Sequence, residues 1–557
     1  MTHPWLASYP PGVPAQIDPS QHRSIGEMAD SCFEEFASRT AYLQMGRELT
    51  YGELDCQSKA FGAWLQARTG LAPGDRVAIM LPNILQYPIA LFGVLRAGGV
   101  VVNTNPLYTP RELEHQLNDS GAEIILILEN FAHVLEEVIA RTGVKQVIVT
   151  SIGELLGFPK GQIVDFVLRH VRKAVPKWNL ANAHRFSDVL REGSQLPFQA
   201  ASLDHDDLAF LQYTGGTTGV SKGAMLSHGN MVANVLQSSA WIEGTFPRGE
   251  PSTAITALPL YHIFALTANC LLFLRLGWTN VLITNPRDFP GFVAELKKHR
   301  FTYISGVNTL FNALLHTPGF EQLDFSSLRC TLGGGMAVQR AVAERWKAVT
   351  SCILTQAWGL TETSPAACIN PPNEDFNDSI GLPISSTEIA IVDDDGKMLE
   401  LGATGEICVR GPQVMQGYYN RPEETAKVML ANGWLRTGDI GHMDPRGYVY
   451  IEDRKKDMIN VSGFNVYPNE VESVAVNHPG IIEAAAVAKA DEKSGEAVAL
   501  FVVRKDPSID EQAVIAHCRE SLTGYKVPKF VYFRDELPKT NVGKILRREL
   551  RDAAQNL

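Results

Sequence analysis

The segment YTGGTTGVSKG (213–223) follows the apolar run LAFLQ and gathers glycines, threonines and one lysine into a single loop. Such a loop is rich in exposed N–H and O–H donors and can wrap a polyphosphate, with Lys222 supplying positive charge. It is not a Walker A loop, because no GK[ST] follows a G-x4 spacing. A plain Gly/Thr turn is the alternative. WGLTET (358–363) offers Trp358 for stacking on a base, Thr361 for a phosphate and Glu362 for Mg²⁺ held against that phosphate. A Thr-Glu helix cap is the competing reading there. In NGWLRTGDIGHMDPRGYVYIEDRKKD (432–457), Asp439 sits between Gly438 and Ile440, and a tight turn is expected. A carboxylate so placed can accept both hydroxyls of a ribose, or cap its own Asx-turn. In LPKTNVGKILRREL (537–550), Lys544 follows Gly543 on a loop before a helix. A lysine there can carry charge to a reacting phosphate. Arg547 and Arg548 are expected in solvent.

Elements that could position these groups are readable from periodicity. Residues 76–83, 100–106, 122–130 and 144–150 are apolar, strand-like runs. Helix-like stretches such as 89–99 and 110–121 separate them. Continuous apolar strands alternating with helices predict a parallel sheet covered on both faces. The rhythm returns around 255–262 and 301–308. After about residue 380, short β-rich runs joined by Gly/Asp turns replace it. The expected division is a large domain over 1–453, a hinge over 454–457 and a small domain over 458–557.

Composition bounds the function. The 557 residues are 45% hydrophobic and 20% charged, which excludes whole-chain disorder, collagen and coiled coil. A net charge of -11 argues against a nucleic-acid partner. Residues 456–557 hold 14 Lys+Arg against 15 Asp+Glu, so the acidity lies in the large lobe. Eight cysteines without a CxxC pair read as reduced, buried thiols. The proline-bearing start does not read as a secretory signal, and no run approaches a spanning helix, so a cytoplasmic location is expected. In 161–178, Ile163, Val167, Val171, Ala174 and Trp178 would share one helix face, with Arg169, Arg172 and Lys173 opposite. That pattern suits either a solvated surface helix or one resting on an anionic membrane.

Together, and in this order, the four motifs resemble the adenylate-forming superfamily of acyl-CoA synthetases, aryl-CoA ligases, luciferases and peptide-synthetase adenylation domains. The resemblance runs from about residue 25 to the C-terminus. Within the superfamily it is nearest the bacterial long-chain fatty acid–CoA ligase subfamily, on NGWLRTGDIG…DRKKDMI, SGFNVYPNEVE (462–472), LPKTNVGKILRREL and the early YPPGVPAQID (9–18).

That resemblance implies an α/β fold: two stacked α/β subdomains and a small β-barrel-like one, then a small mobile α+β lobe. It implies two steps. A fatty carboxylate attacks the α-phosphate of Mg²⁺-bound ATP, giving acyl-AMP and pyrophosphate, and the thiol of CoA then takes the acyl group. By position, Thr214, Gly215, Gly216, Thr217, Thr218, Gly219 and Lys222 would hold pyrophosphate. Thr361 would touch the α-phosphate and Glu362 the Mg²⁺. Trp358, Gly359, Gly333, Gly334 and Gly335 would lie along adenine and the acyl group, with His262 and Gly334 at the acyl pocket. Asp439 and Arg454 would hold the ribose. Lys544 would bridge carboxylate and phosphate, Lys456 would mark the hinge, and Gly463 and Phe464 would line the CoA tunnel. Inner-membrane contact and a homodimer are further expectations. A carrier-protein thiol as acceptor, and a fatty-acid-binding protein with a dead site, are the competing readings.

The sequence departs from the superfamily pattern at several points. Gly215 stands where many relatives have serine, and Ser221 replaces a common proline, which should loosen the loop. Trp358 replaces tyrosine, Arg436 replaces histidine, and Leu266 stands where some long-chain relatives have a gating tryptophan.

Overall fold

The computed structural model describes residues 3–214, 221–462, 464–491, 493–540 and 543–557. Two large sheets dominate. One has eight strands, and its six contiguous parallel strands run Leu208–Thr214, Val100–Asn103, Arg76–Met80, Ile124–Leu128, Gln146–Thr150 and His184–Arg185. The other has nine strands, and Leu354–Gly359, Cys330–Gly333, Tyr303–Gly306, Thr253–Thr256, Thr279–Leu282 and Thr40–Gln44 form its parallel stretch. The apolar runs expected as strands therefore lie inside parallel sheets, where both faces are buried.

Helix Gln86–Arg96 has every residue buried. It belongs to an apolar cluster that includes Val77 and Ile79 of one sheet and Tyr42 and Val281 of the other. Helix Pro110–Ser120 shows why such connectors stop where they do. Thr109 and Glu112 form a capping box, Pro110 occupies the first turn, and Gly121 closes the helix at φ 64°.

The β-rich section is a four-stranded antiparallel sheet of Glu388–Val392, Gly405–Arg410, Leu435–Met443 and Val449–Arg454. From Ile459 onward the chain builds its own five-stranded sheet, with apolar clusters on both faces. That sheet's region meets the larger body through Asn469 N–H to Asp453 Oδ2 (2.8 Å), Asn312 Nδ2 to the Ile482 carbonyl (3.4 Å) and Thr309 Oγ1 to the Gly543 carbonyl (3.2 Å). All eight cysteines are free, and only Cys56 is exposed.

The 161–178 segment differs from its helical-wheel reading. An α-helix spans Lys160–Phe166 and continues as a π-turn over Val167–Val171. Lys173 adopts φ 51°, so Ala174 and Trp178 leave the helix face, and Trp178 packs against an interior cluster. Arg169 is not a solvated charge, because it pairs with the buried Glu129 at 2.8 Å. Among the described residues, no helix is long and apolar enough to cross a membrane.

Candidate active site

Parallel sheets gather functional groups where their strands end at the carboxyl side, since the loops there are free to carry them. Thr214 ends Leu208–Thr214, and Lys222 opens the antiparallel strand Lys222–Ser227 directly opposite it in register. The pair forms the neck of a hairpin. Gly215, Gly216, Thr217, Thr218 and Gly219 lie outside the described residues. The neck is closed by Ser221, whose hydroxyl donates to the Thr214 carbonyl at 2.8 Å. The Ser221 carbonyl is 3.0 Å from His115 Nε2.

A single cavity of about 1630 Å³ collects most of the expected site. Thr214 and Lys222 line it together with His262, Gly334 and Gly335. Trp358, Gly359, Thr361 and Glu362 form the next stretch of wall, and Asp439, Arg454, Lys456 and Lys544 complete it. Gly333 is not on the wall. A Cβ there would lie 2.6 Å from Leu354 and 2.8 Å from Val338, so this glycine serves packing of the strand end. Phe464 is also absent from the wall. It is exposed and stacks on Tyr525 with centroids 5.0 Å apart. Gly463 lies outside the described residues.

Asp439 is in strand Leu435–Met443 rather than in a turn. Gly438 at φ 74° and a register shift after Ile440 bend the strand locally. The side chain is 2% exposed; Oδ2 accepts from Trp358 Nε1 at 2.9 Å, and Arg454 Nε lies 3.3 Å from Oδ1. Oδ1 has no hydrogen bond among the described residues, which leaves a buried acceptor to be satisfied. Arg454 faces Asp439 across the two-strand register.

Glu362 follows strand Leu354–Gly359 in the short turn Thr361–Thr363. Tyr418 donates its hydroxyl to Glu362 Oε1 at 2.7 Å, and the Tyr418 ring lies 4.9 Å beneath the Lys222 ammonium. Lys222 is ion-paired with Glu424, which also holds Lys427. These ion pairs hold the Glu424 carboxyl down near 2. One carboxylate near the glycine-rich hairpin is a donor set that fits Mg²⁺, since that ion takes one or two carboxylates plus substrate phosphates and waters. Among the described residues no three His, Cys, Asp or Glu side chains assemble a metal cage.

Lys544 reaches the cavity from the last loop. Gly543 turns there at φ 84°, the Lys544 N–H donates to Thr540 Oγ1 at 3.1 Å, and Thr540 N–H donates back to the Lys544 carbonyl at 2.7 Å. Gly335 turns at φ 75°, a left-handed conformation that favours glycine, and a Cβ there would only touch Lys544 Cε at 3.6 Å. Burial, together with the nearby Arg454, pushes the ammonium down to about 8, while Asp439 and Glu362 oppose that fall. Burial, with Lys544 adding to it, drops His262 to about 3, so its imidazole is neutral. His262 Nδ1 accepts from the Phe264 N–H at 3.3 Å, and so caps the following helix.

Several contributors escape a sequence reading. Glu424 and Tyr418 lie in GYYNRPEET (417–425), which carries no motif of its own. Arg547 is not in solvent. It bonds Glu472 at 2.8 Å and Asn469 at 2.9 Å, while Arg548 is exposed. Arg436 pairs with Glu406 at 2.7 Å and has no place on the cavity wall. The cavity also reaches helix His228–Ile242, where Asn234, Ser238 and Ile242 fall at i, i+4 and i+8 on one face. Tyr303, Cys330 and Leu272 line the cavity as well.

Comparison with known proteins places these features in context. The family model described as AMP-binding enzyme matches residues 30–419, and its C-terminal domain model matches 470–544. The chain is 56% identical to a long-chain-fatty-acid–CoA ligase of Escherichia coli O157:H7, covering 99% of this chain and 98% of that one. It is 38% identical to the long-chain-fatty-acid–CoA ligase of Bacillus subtilis, over 98% and 97% of the two chains. Among solved structures, ATP-bound MatB from Rhodopseudomonas palustris superposes with a TM-score of 0.82 at 28% identity, covering 95% of this chain and 98% of that one.

Proposed function

The chain belongs to the AMP-binding enzyme family, and from that premise we infer the reaction it carries out. It is an ATP-dependent ligase that converts a fatty acid and CoA to acyl-CoA, through an acyl-adenylate, with release of AMP and pyrophosphate. ATP, Mg²⁺ and CoA are the co-reactants of this chemistry. A carboxylate is a poor electrophile with a bad leaving group, and transfer to AMP corrects both. The protein's task is then positioning and charge stabilisation.

We propose the following roles. Thr214 and Lys222, together with Gly215, Gly216, Thr217, Thr218 and Gly219 between them in sequence, take the pyrophosphate. Thr361 bonds the α-phosphate, and Glu362 is the protein carboxylate that holds Mg²⁺, which when bound neutralises charge on the phosphates. The unsatisfied Oδ1 of Asp439 and the neighbouring Arg454 accept and donate to the ribose, beside Trp358. Lys544 lies between the incoming carboxylate and the α-phosphate. The cavity wall along Asn234, Ser238 and Ile242 takes the acyl chain; from the first to the last of these the helix rises about 12 Å. His262, neutral and facing the cavity, borders its entrance. Residues 454–457 serve as the hinge, at Lys456, for a mobile 458–557 lobe whose rotation exchanges Lys544 for the Gly463–Phe464 segment at the CoA path.

The observation that carries this reading is the convergence of Glu362, Asp439 and Lys544 on one cavity, although they are far apart in sequence. ATP–pyrophosphate exchange that depends on oleate, followed by CoA-dependent AMP release, tests it. Well-folded protein without exchange would overturn it. Peripheral contact with the inner membrane belongs to the same reading, and its support is the run of exposed apolar side chains over 158–171.

A further inference from the structure

In the helix at 160–171, Gly161, Asp165 and Arg169 face the body, while Gln162 and His170 are exposed beside Ile163 and Phe166. Gly161 packs on the Gly153 backbone so closely that a Cβ would fall 2.2 Å from the Gly153 carbonyl oxygen. One turn on, Asp165 accepts from the Ser151 hydroxyl at 2.6 Å and from the Gly153 N–H at 2.8 Å. A further turn on, Arg169 pairs with the buried Glu129. Positions i, i+4 and i+8 thus tie the helix to the body through its polar groups.

The apolar stripe is left in solvent. Phe158 is 88% exposed, Ile163 59%, Phe166 59% and Val171 66%. The 45–46 hairpin tip lies alongside, since Lys160 Nζ donates to the Met45 carbonyl, and Met45 is itself an exposed apolar residue. Five of the eleven exposed large apolar side chains among the described residues therefore lie on this helix or on the segments next to it. Ordinary water-facing helices reverse this arrangement, and a concentrated apolar surface marks a partner.

Charge indicates which partner. Residues 158–178 contain Lys160, Arg169, Arg172, Lys173 and Lys177 but one acid, Asp165, in a chain of net charge -11. Asp165 and Arg169 are satisfied inward, whereas Arg172, Lys173 and Lys177 are exposed and make no ion pair among the described residues. An apolar stripe flanked by free cations matches a bilayer with anionic headgroups, in which the apolar side chains enter the acyl boundary and the cations stay with the phosphates.

We propose that Phe158, Ile163, Phe166 and Val171, with Met45 beside them and Arg172, Lys173 and Lys177 at the rim, form a docking surface for an anionic lipid bilayer. The proposal rests on the fatty-acid reading of the active site, since it would hold the enzyme where its substrate partitions. It makes this face of the molecule, rather than net charge, the determinant of membrane contact.

Flotation of the full chain with vesicles of phosphatidylglycerol and phosphatidylethanolamine, against pure phosphatidylcholine, tests it. The wild type is expected to float with the anionic vesicles and to be released by 0.5 M salt. Phe166→Glu with Val171→Glu is expected to lower the bound fraction at least tenfold, and Arg172→Glu with Lys173→Glu to do the same. Turnover on water-soluble octanoate should stay within twofold, because none of these side chains lines the cavity. Failure of the wild type to float, equal flotation of wild type and variants, or equal binding to neutral vesicles would overturn the proposal. So would a wild-type dimer that Phe166→Glu converts to monomer with flotation unchanged, since the face would then join two copies of the chain. Loss of octanoate turnover in the wild type would instead strike the enzyme reading and leave the flotation result to judge the surface alone.

Discussion

Trp358 and Asp439 are joined by a hydrogen bond of 2.9 Å from the indole Nε1 to Oδ2, which ties the end of a parallel strand to the antiparallel sheet that follows it. The bond fixes the carboxylate's rotation, so that Oδ1 is the oxygen left without a hydrogen bond. Replacing Trp358 with phenylalanine keeps a ring for stacking and removes this donor. A hydrogen bond to a charged group contributes about 1.5–3 kcal/mol, so Trp358→Phe should raise KM for ATP by about tenfold or more. Asp439→Ala should lose more, since it also strips the partner from Arg454. Pyrophosphate exchange at varied ATP is the measurement, and an unchanged KM in both variants would remove Asp439 from the nucleotide site.

Much of this site is legible in the sequence because its parts are local. The strand runs at 76–83 and 122–130 read as continuous apolar stretches, and the glycine loop, WGLTET and the Lys544 loop each keep their chemistry within a dozen residues. What fails to show is pairing across the fold. Arg547 lies in KILRREL, a stretch that reads as a solvated helix start, yet its partner Glu472 stands 75 positions earlier. Asp439 reads as a turn residue because Gly438 precedes it, whereas antiparallel pairing with Arg454 keeps it inside a strand. For 161–178, periodicity reports that one face is apolar but not which face docks. The contacts of Gly161, Asp165 and Arg169 decide that, and they reverse the usual expectation.

Glu424 restrains the lysine expected to meet the pyrophosphate. It pairs with Lys222, so a phosphate bound by that ammonium would compete with it. Glu424→Gln is expected to lower KM for ATP about threefold, in keeping with the modest strength of exposed ion pairs, and to make that KM less sensitive to salt. Lys222→Ala should move KM in the opposite direction. A rise in KM for Glu424→Gln would mean that the carboxylate orients Lys222 for phosphate rather than competing with it.

Gly359 holds the turn that presents Thr361 and Glu362. A Cβ at this position would fall 1.8 Å from the Pro365 carbonyl oxygen, which also accepts the Leu360 N–H at 3.1 Å. No side-chain rotation relieves a clash with backbone, so Gly359→Ala must shift the turn. The expected result is a destabilisation of about 1–3 kcal/mol by thermal or urea unfolding, with a larger proportional loss of pyrophosphate exchange. Wild-type exchange in a variant of normal stability would show that the turn can move without disturbing Glu362.

Lys544 provides the sharpest test, because its position and its ionisation make separate demands. Its ammonium, pushed down to about 8 by burial and by Arg454, is charged below that pH and neutral above it. A lysine with its ordinary value of about 10.4 would stay charged through pH 9. If the charge acts on the carboxylate and α-phosphate, kcat/KM for adenylation by the free enzyme should be flat below pH 8 and fall tenfold per unit above it. Lys544→Arg should abolish that alkaline limb, since a guanidinium stays protonated. Lys544→Ala should lower adenylation by about 10²–10³, the scale for removing one stabilising donor, while thioester formation from supplied acyl-AMP proceeds at its normal rate. Equal loss of both half-reactions would show that Lys544 supports the fold of the site instead. An alkaline limb that persists in Lys544→Arg would assign the titration to another group on the cavity wall, with Lys456 beside it the first candidate because burial lowers that ammonium too.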